Sequence, residues 1–276
     1  MAISARTALI EPGGLPRKFV APSAFKRPHI TVRGLHKTFG TNTVYNGFDL
    51  DIPRGKFISI FGPNGCGKST LINLMAGLLP LDGGEILFDG EKVSDVRIGY
   101  VFQNYREALF PWMRARDNIA YPLKFLKIGR QEQKRKVDAL VERLGIRIDL
   151  NKYPYEMSGG QQQLVSILRA LVIDPEVLFL DEPFSALDYE MTLFMREQLQ
   201  RIFQEIGATT LIVSHDLEEA VYLADMILLL TRAPSQVADF VDFGSPRPRT
   251  DATLADPAYV QVKAHCLDVF QREVRK

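Results

Sequence analysis

From His29 onward the apolar positions fall in short unbroken runs rather than on alternate residues. "FISIF" (57–61), "IGYVF" (98–102), "VLFL" (177–180) and "TTLIV" (209–213) are of this kind. A strand needs continuous apolarity only when both of its faces are covered, as in a parallel sheet between helices. Helical patterns separate the runs. One starts at Lys68, one lies around 190–206, and residues 115–173 read as mostly helical with charged faces such as "RQEQKRKVDALVERLG". Strands alternating with helices predict an α/β domain built on a parallel sheet. The long helical stretch that interrupts the alternation predicts a helical subdomain inserted at about 104–175.

The two ends have a different texture. Residues 1–28 carry Arg6, Arg17, Lys18, Lys26 and Arg27 against Glu11, among prolines and glycines. They read as a flexible, solvated extension, or as an arm that touches anionic lipid or a partner. Residues 235–276 read as a tail: "GSPRPR" and then a short helix, with Asp256 as N-cap and Pro257 at the first helical position. The domain between them spans 29–234.

Composition narrows the class. The chain has 276 residues, 46% of them hydrophobic, enough for one large domain with a subdomain. Its 34 basic and 33 acidic residues leave a formal charge of +1, so the broad basic field of a nucleic-acid binder is missing. Cys66 and Cys266 are too few for a disulfide framework, which fits a reduced, cytosolic setting. No run approaches the ~20 apolar residues of a membrane helix, and the N-terminus lacks the ~7–15-residue apolar core of a secretion signal. Any service to a membrane is expected from outside the bilayer.

Candidate chemistry sits where the strands end. "GPNGCGKST" matches G-x-x-x-x-G-K-[ST] from Gly62 to Ser69, after a strand and before a helix. Backbone N–H groups of such a loop wrap a phosphate, and glycines remove the Cβ atoms that obstruct it. Gly62, Pro63, Asn64, Gly65, Cys66, Gly67, Lys68, Ser69 and Thr70 thus form a nucleotide-binding stretch. Lys68 serves the β/γ-phosphates, Ser69 serves Mg²⁺, and Cys66 is a spacer. "VLFLDEPF" ends a buried strand in Asp181 and Glu182. Asp181 is expected to hold Mg²⁺ and Glu182 to polarise the attacking water. Gln103 and His215 also lie just past strands; the amide suits Mg²⁺ or water, the imidazole suits the γ-phosphate. A second anion-seeking stretch is "EMSGGQQQ" (156–163). Ser158 precedes Gln161 by the spacing of a capping box, and Gly159 and Gly160 leave that helix start bare.

Taken together, these motifs resemble the ATP-binding subunit of ABC transporters, over about residues 29–234. The resemblance rests on "GPNGCGKST", the Gln103 loop, "MSGGQ" (157–161), "VLFLDE" (177–182), "SALD" (185–188) and "SHD" (214–216), in that order. It implies a P-loop NTPase (RecA-like) parallel-sheet core with an antiparallel β edge. It implies ATP and Mg²⁺ as ligands and a head-to-tail homodimer through the ATP sites. In that dimer Ser158, Gly159, Gly160 and Gln161 contact the ATP held by the partner's phosphate loop, and Ala186, Leu187 and Asp188 link the two sites. Phe39, near "HKTFG", matches the aromatic that stacks on adenine, although the common family residue there is Tyr. The family also implies a peripheral place on the cytoplasmic face of the membrane and integral permease partners, contacted near Pro111 and Trp112.

Within the family, "LFPWMRARDN" and "GSPRPRTD" are similar to the nitrate/sulfonate/taurine-type importers. They imply import of a small anionic or organic solute with a periplasmic or extracellular solute-binding protein. An exporter or lipid-handling subunit is the alternative. DNA- or ribosome-directed ABC ATPases fit poorly: the chain has one cassette, lacks sustained heptads and is near neutral. One departure stands out. Leu164 occupies the position after the signature where the family usually has arginine, while Arg169 is retained.

Overall fold

The computed structural model describes residues 27–185 and 187–275, together with Leu9–Ile10 and Pro16–Arg17. Most of the N-terminal extension expected at 1–28 therefore lies outside the described residues. The chain divides into two compact units, one formed by Met1–Val96 with Thr209–Lys276, the other by Arg97–Ala208.

In chain order the first unit begins with β1 (Leu9–Ile10) and β2 (Pro16–Arg17), which pair antiparallel. It continues with β3 (Ile30–Phe39), β4 (Asn42–Ile52), β5 (Phe57–Phe61), α1 (Lys68–Met75) and β6 (Gly83–Phe88). The second unit holds β7 (Ile98–Val101), α2 (Tyr105–Ala108), α3 (Ala115–Phe125), α4 (Arg130–Arg143), α5 (Gly159–Leu171), β8 (Val177–Asp181) and α6 (Tyr189–Ile206). The chain then returns to the first unit with β9 (Thr209–Val213), α7 (Leu217–Leu223), β10 (Met226–Leu230), β11 (Val237–Asp242), α8 (Asp251–Leu254) and α9 (Pro257–Arg275).

Two sheets build the first unit. In one, β10, β5 and β9 lie side by side and parallel, with Met226 opposite Ile58 and Ile60 opposite Val213. All residues of these three strands are buried, which is what their unbroken apolar runs require. The edge strand β11 joins β10 antiparallel. The other sheet is antiparallel, ordered β4-β3-β6, and supplies the expected antiparallel edge. Lys37 ties it together: its Nζ donates to Asp82 Oδ1 at 2.8 Å and to the Pro80 carbonyl at 2.9 Å.

The C-terminal part departs from the sequence reading. β11 carries the sheet past residue 234, where the domain was expected to end. The expected short helix is α9, 19 residues long. Tyr259, Val262, Cys266 and Val269 are buried along it at spacings of three and four, a single helical stripe. This stripe is diluted by charged residues, so the segment reads as a polar tail in sequence. As anticipated, Asp256 caps its start, accepting from the Ala258 N–H at 2.7 Å. Arg232 satisfies carbonyls at its end, donating to Glu273 at 3.2 Å and Val274 at 2.6 Å.

The second unit sets β7 parallel to β8, with Val101 opposite Leu180, beside the helices α2 to α6. It is broader than the helical subdomain expected at 104–175, because both strands and α6 belong to it. Residues 115–173 are helical in three pieces, α3, α4 and α5, joined by loops.

Candidate functional site

In the first unit the candidate residues gather beyond the carboxyl ends of β5 and β9. The loop from Gly62 leads directly into α1, whose N-cap is Gly67 at φ 98°, with no side-chain cap. That backbone region strains any residue with a Cβ. A Cβ there would also stand 2.4 Å from Val44 Cγ1. The Tyr45 hydroxyl donates to the Gly67 carbonyl at 2.9 Å and steadies the turn. Burial raises the Tyr45 phenol well above its usual range, so it stays a donor. Lys68 is buried, and its Nζ donates to the carbonyls of Gly62 at 2.9 Å and Pro63 at 3.1 Å. The loop therefore curls around an ammonium group at the start of a helix, an arrangement suited to phosphate. Cys66 is buried, and burial pushes its thiol up, partly offset by Lys68. A neutral thiol fits the spacer role.

His215 follows β9 by two residues and is exposed. Its neighbours are firmly held. Asp216 caps α7, accepting from Glu218 N–H at 2.7 Å and Glu219 N–H at 3.1 Å. The Ser214 hydroxyl donates to Glu219 at 2.9 Å. Phe39 ends β3 with 46% of its surface exposed, and Lys37 Nζ lies 5.2 Å from its ring centroid. An exposed ring at a strand end is open to stacking.

In the second unit the carboxylates emerge at the end of β8. Asp181 is 7% exposed, and Glu182 adopts φ 44°, a left-handed conformation uncommon for a non-glycine residue. The Ser185 hydroxyl donates to the Glu182 carbonyl at 3.0 Å. The Gln103 Nε2 donates to Glu182 Oε2 at 3.0 Å. The structure thus brings together two residues 79 positions apart: Glu182, expected to polarise the attacking water, and Gln103, whose amide suits Mg²⁺ or water. It adds one that sequence reasoning missed: Tyr100, whose hydroxyl lies 3.4 Å from Asp181 Oδ2. Burial, with the Asp181 charge, raises this phenol. Only the strand register reveals it, since nothing in "IGYVF" marks Tyr100 as chemical.

Carboxylate and amide oxygens at a strand end suit a hard cation such as Mg²⁺. Among the described residues no group of three or more His, Cys, Asp or Glu is close enough to hold a metal unaided. Mg²⁺ commonly uses one or two carboxylates together with substrate phosphates and water, so Asp181 and Gln103 fit it.

The signature helix begins as expected. Ser158 Oγ accepts from the Gln161 N–H at 3.3 Å, and Gln161 Oε1 accepts from the Ser158 N–H at 3.2 Å. The glycines have a further reason. A Cβ on Gly160 would meet Met191 Sδ, and one on Gly159 would stand 2.8 Å from the Tyr105 hydroxyl. Asp188 caps α6, accepting from the Met191 N–H at 2.8 Å, and Leu187 donates to the Phe184 carbonyl at 3.0 Å. Ala186 lies outside the described residues. Leu164 is buried and lines a cavity of about 480 Å³ with Ile146, Ile148, Met191 and Phe194. Arg169 donates to the Ala108 carbonyl at 2.6 Å and tethers α5 to the segment before Pro111 and Trp112.

Residues 45–185 match the family model described as ABC transporter. This chain belongs to the ABC transporter family, as one of its ATP-binding cassettes. It is 40% identical over 226 residues to a spermidine/putrescine import ATP-binding protein of Haemophilus influenzae, covering 80% of this chain and 59% of that relative. The chain thus spans less than two thirds of that relative's length. It is 38% identical over 246 residues to a nitrate import ATP-binding protein of Synechococcus elongatus, covering 86% of this chain and 89% of the relative. Among solved structures, a dimeric ATP-binding cassette in a post-hydrolysis state with ADP and Pi superposes at a TM-score of 0.67 and 28% identity. The match covers 77% of this chain and 98% of that one.

Proposed function

We propose that this cassette binds and hydrolyses ATP to power an ABC importer for a small anionic or organic solute such as nitrate, a sulfonate or taurine. The reading is carried by the Gln103–Glu182 hydrogen bond at the end of the strand that bears Asp181. A carboxylate fixed by an amide is poised to take a proton from water, a role worth roughly 10²–10⁴ in rate. Lys68 exchanges its loop carbonyls for phosphate oxygens, and the amides from Gly65 to Thr70 cradle the phosphates. His215 donates to the γ-phosphate and Phe39 stacks on the adenine. Asp181, Gln103 and, by the family resemblance, Ser69 would hold Mg²⁺, which would supply positive charge against the phosphates.

Two copies close on ATP head to tail, with Ser158, Gly159, Gly160 and Gln161 of one completing the site of the other. The dimeric arrangement of the solved cassette supports this. Phe110, Trp112, Tyr121 and Phe125 form a run of contacting rings, with Trp112 and Phe125 each 73% exposed. A patch of this kind suits a protein partner, here the integral permease. The cassette would sit peripherally on the cytoplasmic face of the membrane; no helix among the described residues is long and apolar enough to cross it. A solute-binding protein completes the complex. The import names of both relatives favour import over export, and the nitrate relative, matched over 89% of its length, favours the anionic solute.

Affinity purification from membranes tests the assignment. An integral permease and a solute-binding protein are expected to come with the chain, and uptake of labelled nitrate or taurine is expected to stop when the chain is deleted. Uptake that persists in the deletion strain, or a complex formed with an exporter permease, contradicts it.

A further inference from the structure

Tyr100 lies opposite Phe179 in the β7–β8 register. Side chains alternate along a strand, so Phe179 and Asp181 share a face of β8. The Tyr100 ring lies against that face, with its centroid 6.1 Å from Phe179 and 4.6 Å from Phe102. Its hydroxyl reaches 3.4 Å from Asp181 Oδ2. A carboxylate that is 7% exposed is costly to bury without hydrogen bonds. We propose that Tyr100 is a positioning residue: its hydroxyl fixes the plane of the Asp181 carboxylate and so sets how Asp181 meets the metal. Neither ring neighbour supplies a polar atom, so the O–H is what distinguishes Tyr100 from packing.

The inference rests on the reading of Asp181 as a Mg²⁺ ligand. Residues that orient a metal ligand typically cost about 10- to 100-fold in metal affinity when removed. At 3.4 Å the contact is long, so the lower end is expected.

Mn²⁺ binding by electron paramagnetic resonance, in the presence of a non-hydrolysable ATP analogue, tests both readings. Wild type is compared with Tyr100→Phe, Phe102→Leu and Asp181→Asn. Tyr100→Phe is expected to weaken Mn²⁺ binding by about tenfold. Analogue binding in EDTA should stay unchanged, and Phe102→Leu should leave Mn²⁺ affinity within about twofold of wild type. Tyr100→Phe at wild-type affinity while Asp181→Asn is weakened overturns the role of Tyr100 alone. Equal losses in Tyr100→Phe and Phe102→Leu also overturn it, by showing a packing effect. Unchanged affinity in Asp181→Asn overturns the ligand reading and the inference with it.

Discussion

Gly160 and Met191 are packed so closely that a Cβ on the glycine would stand 2.0 Å from the methionine sulfur. A side chain at position 160 therefore needs the Met191 side chain to turn aside, on the contact between α5 and α6. Gly160→Ala is expected to destabilise the fold by about 1 kcal/mol, the low end of overpacking costs, because the flexible methionine can turn aside. Adding Met191→Ala should recover part of that loss. Urea denaturation of the single and double variants checks it; strictly additive losses would show that the two residues do not share one space.

On the proposed reading Ser158 completes the partner's site rather than its own, which separates binding from hydrolysis. Ser158→Arg is expected to leave ATP binding by the isolated chain nearly intact and to abolish hydrolysis. Equilibrium binding of a fluorescent ATP analogue, beside an ATPase assay, checks this. Loss of binding by the monomer would mean that the signature belongs to its own chain's site.

Trp112 tests the route to the membrane. With 73% of its surface exposed, it contributes little to the fold. Trp112→Ala is expected to keep the ATPase rate of the isolated chain within about twofold and to lose co-purification with the permease. Retained co-purification would move the contact elsewhere.

Asp82 sets a pH dependence. The Lys37 ammonium donates to one oxygen and the Thr38 N–H to the other, which holds this carboxyl below the usual range. A folded-state pKa lower than the unfolded one, about 3.9, stabilises the fold at pH above that value. The contribution is lost as pH falls through the folded pKa. Asp82→Asn should lower the urea midpoint near neutral pH, and the difference from wild type should shrink toward about pH 3. A difference that stays constant with pH would rule out the charge.

Much of this was legible because the fold and the chemistry share a cause. Strands buried on both faces must be unbroken apolar runs, so "VLFL" and "TTLIV" announced β8 and β9 almost to the residue. Polar residues at or just past the ends of such runs, Gln103, Asp181 and His215, stand out against them. The capping box at Ser158 is local and was readable from spacing alone. What stayed hidden depends on distant packing. Tyr45 on Gly67, Tyr100 on Asp181 and Met191 on Gly160 join segments 22, 81 and 31 residues apart, and no local pattern encodes them. The length of α9 was missed for a related reason. Its narrow stripe becomes evident only against α7 and β11, where Tyr259, Val262 and Cys266 are buried.

Phosphate release by Glu182→Gln tests the central assignment most directly. The amide keeps the shape of the side chain but cannot accept the proton from water. ATP should still bind, a stable ATP-bound dimer should accumulate on size-exclusion chromatography, and turnover should fall by about a hundredfold or more. Hydrolysis at the wild-type rate would contradict Glu182 as the base and, with it, the catalytic role of its pairing with Gln103.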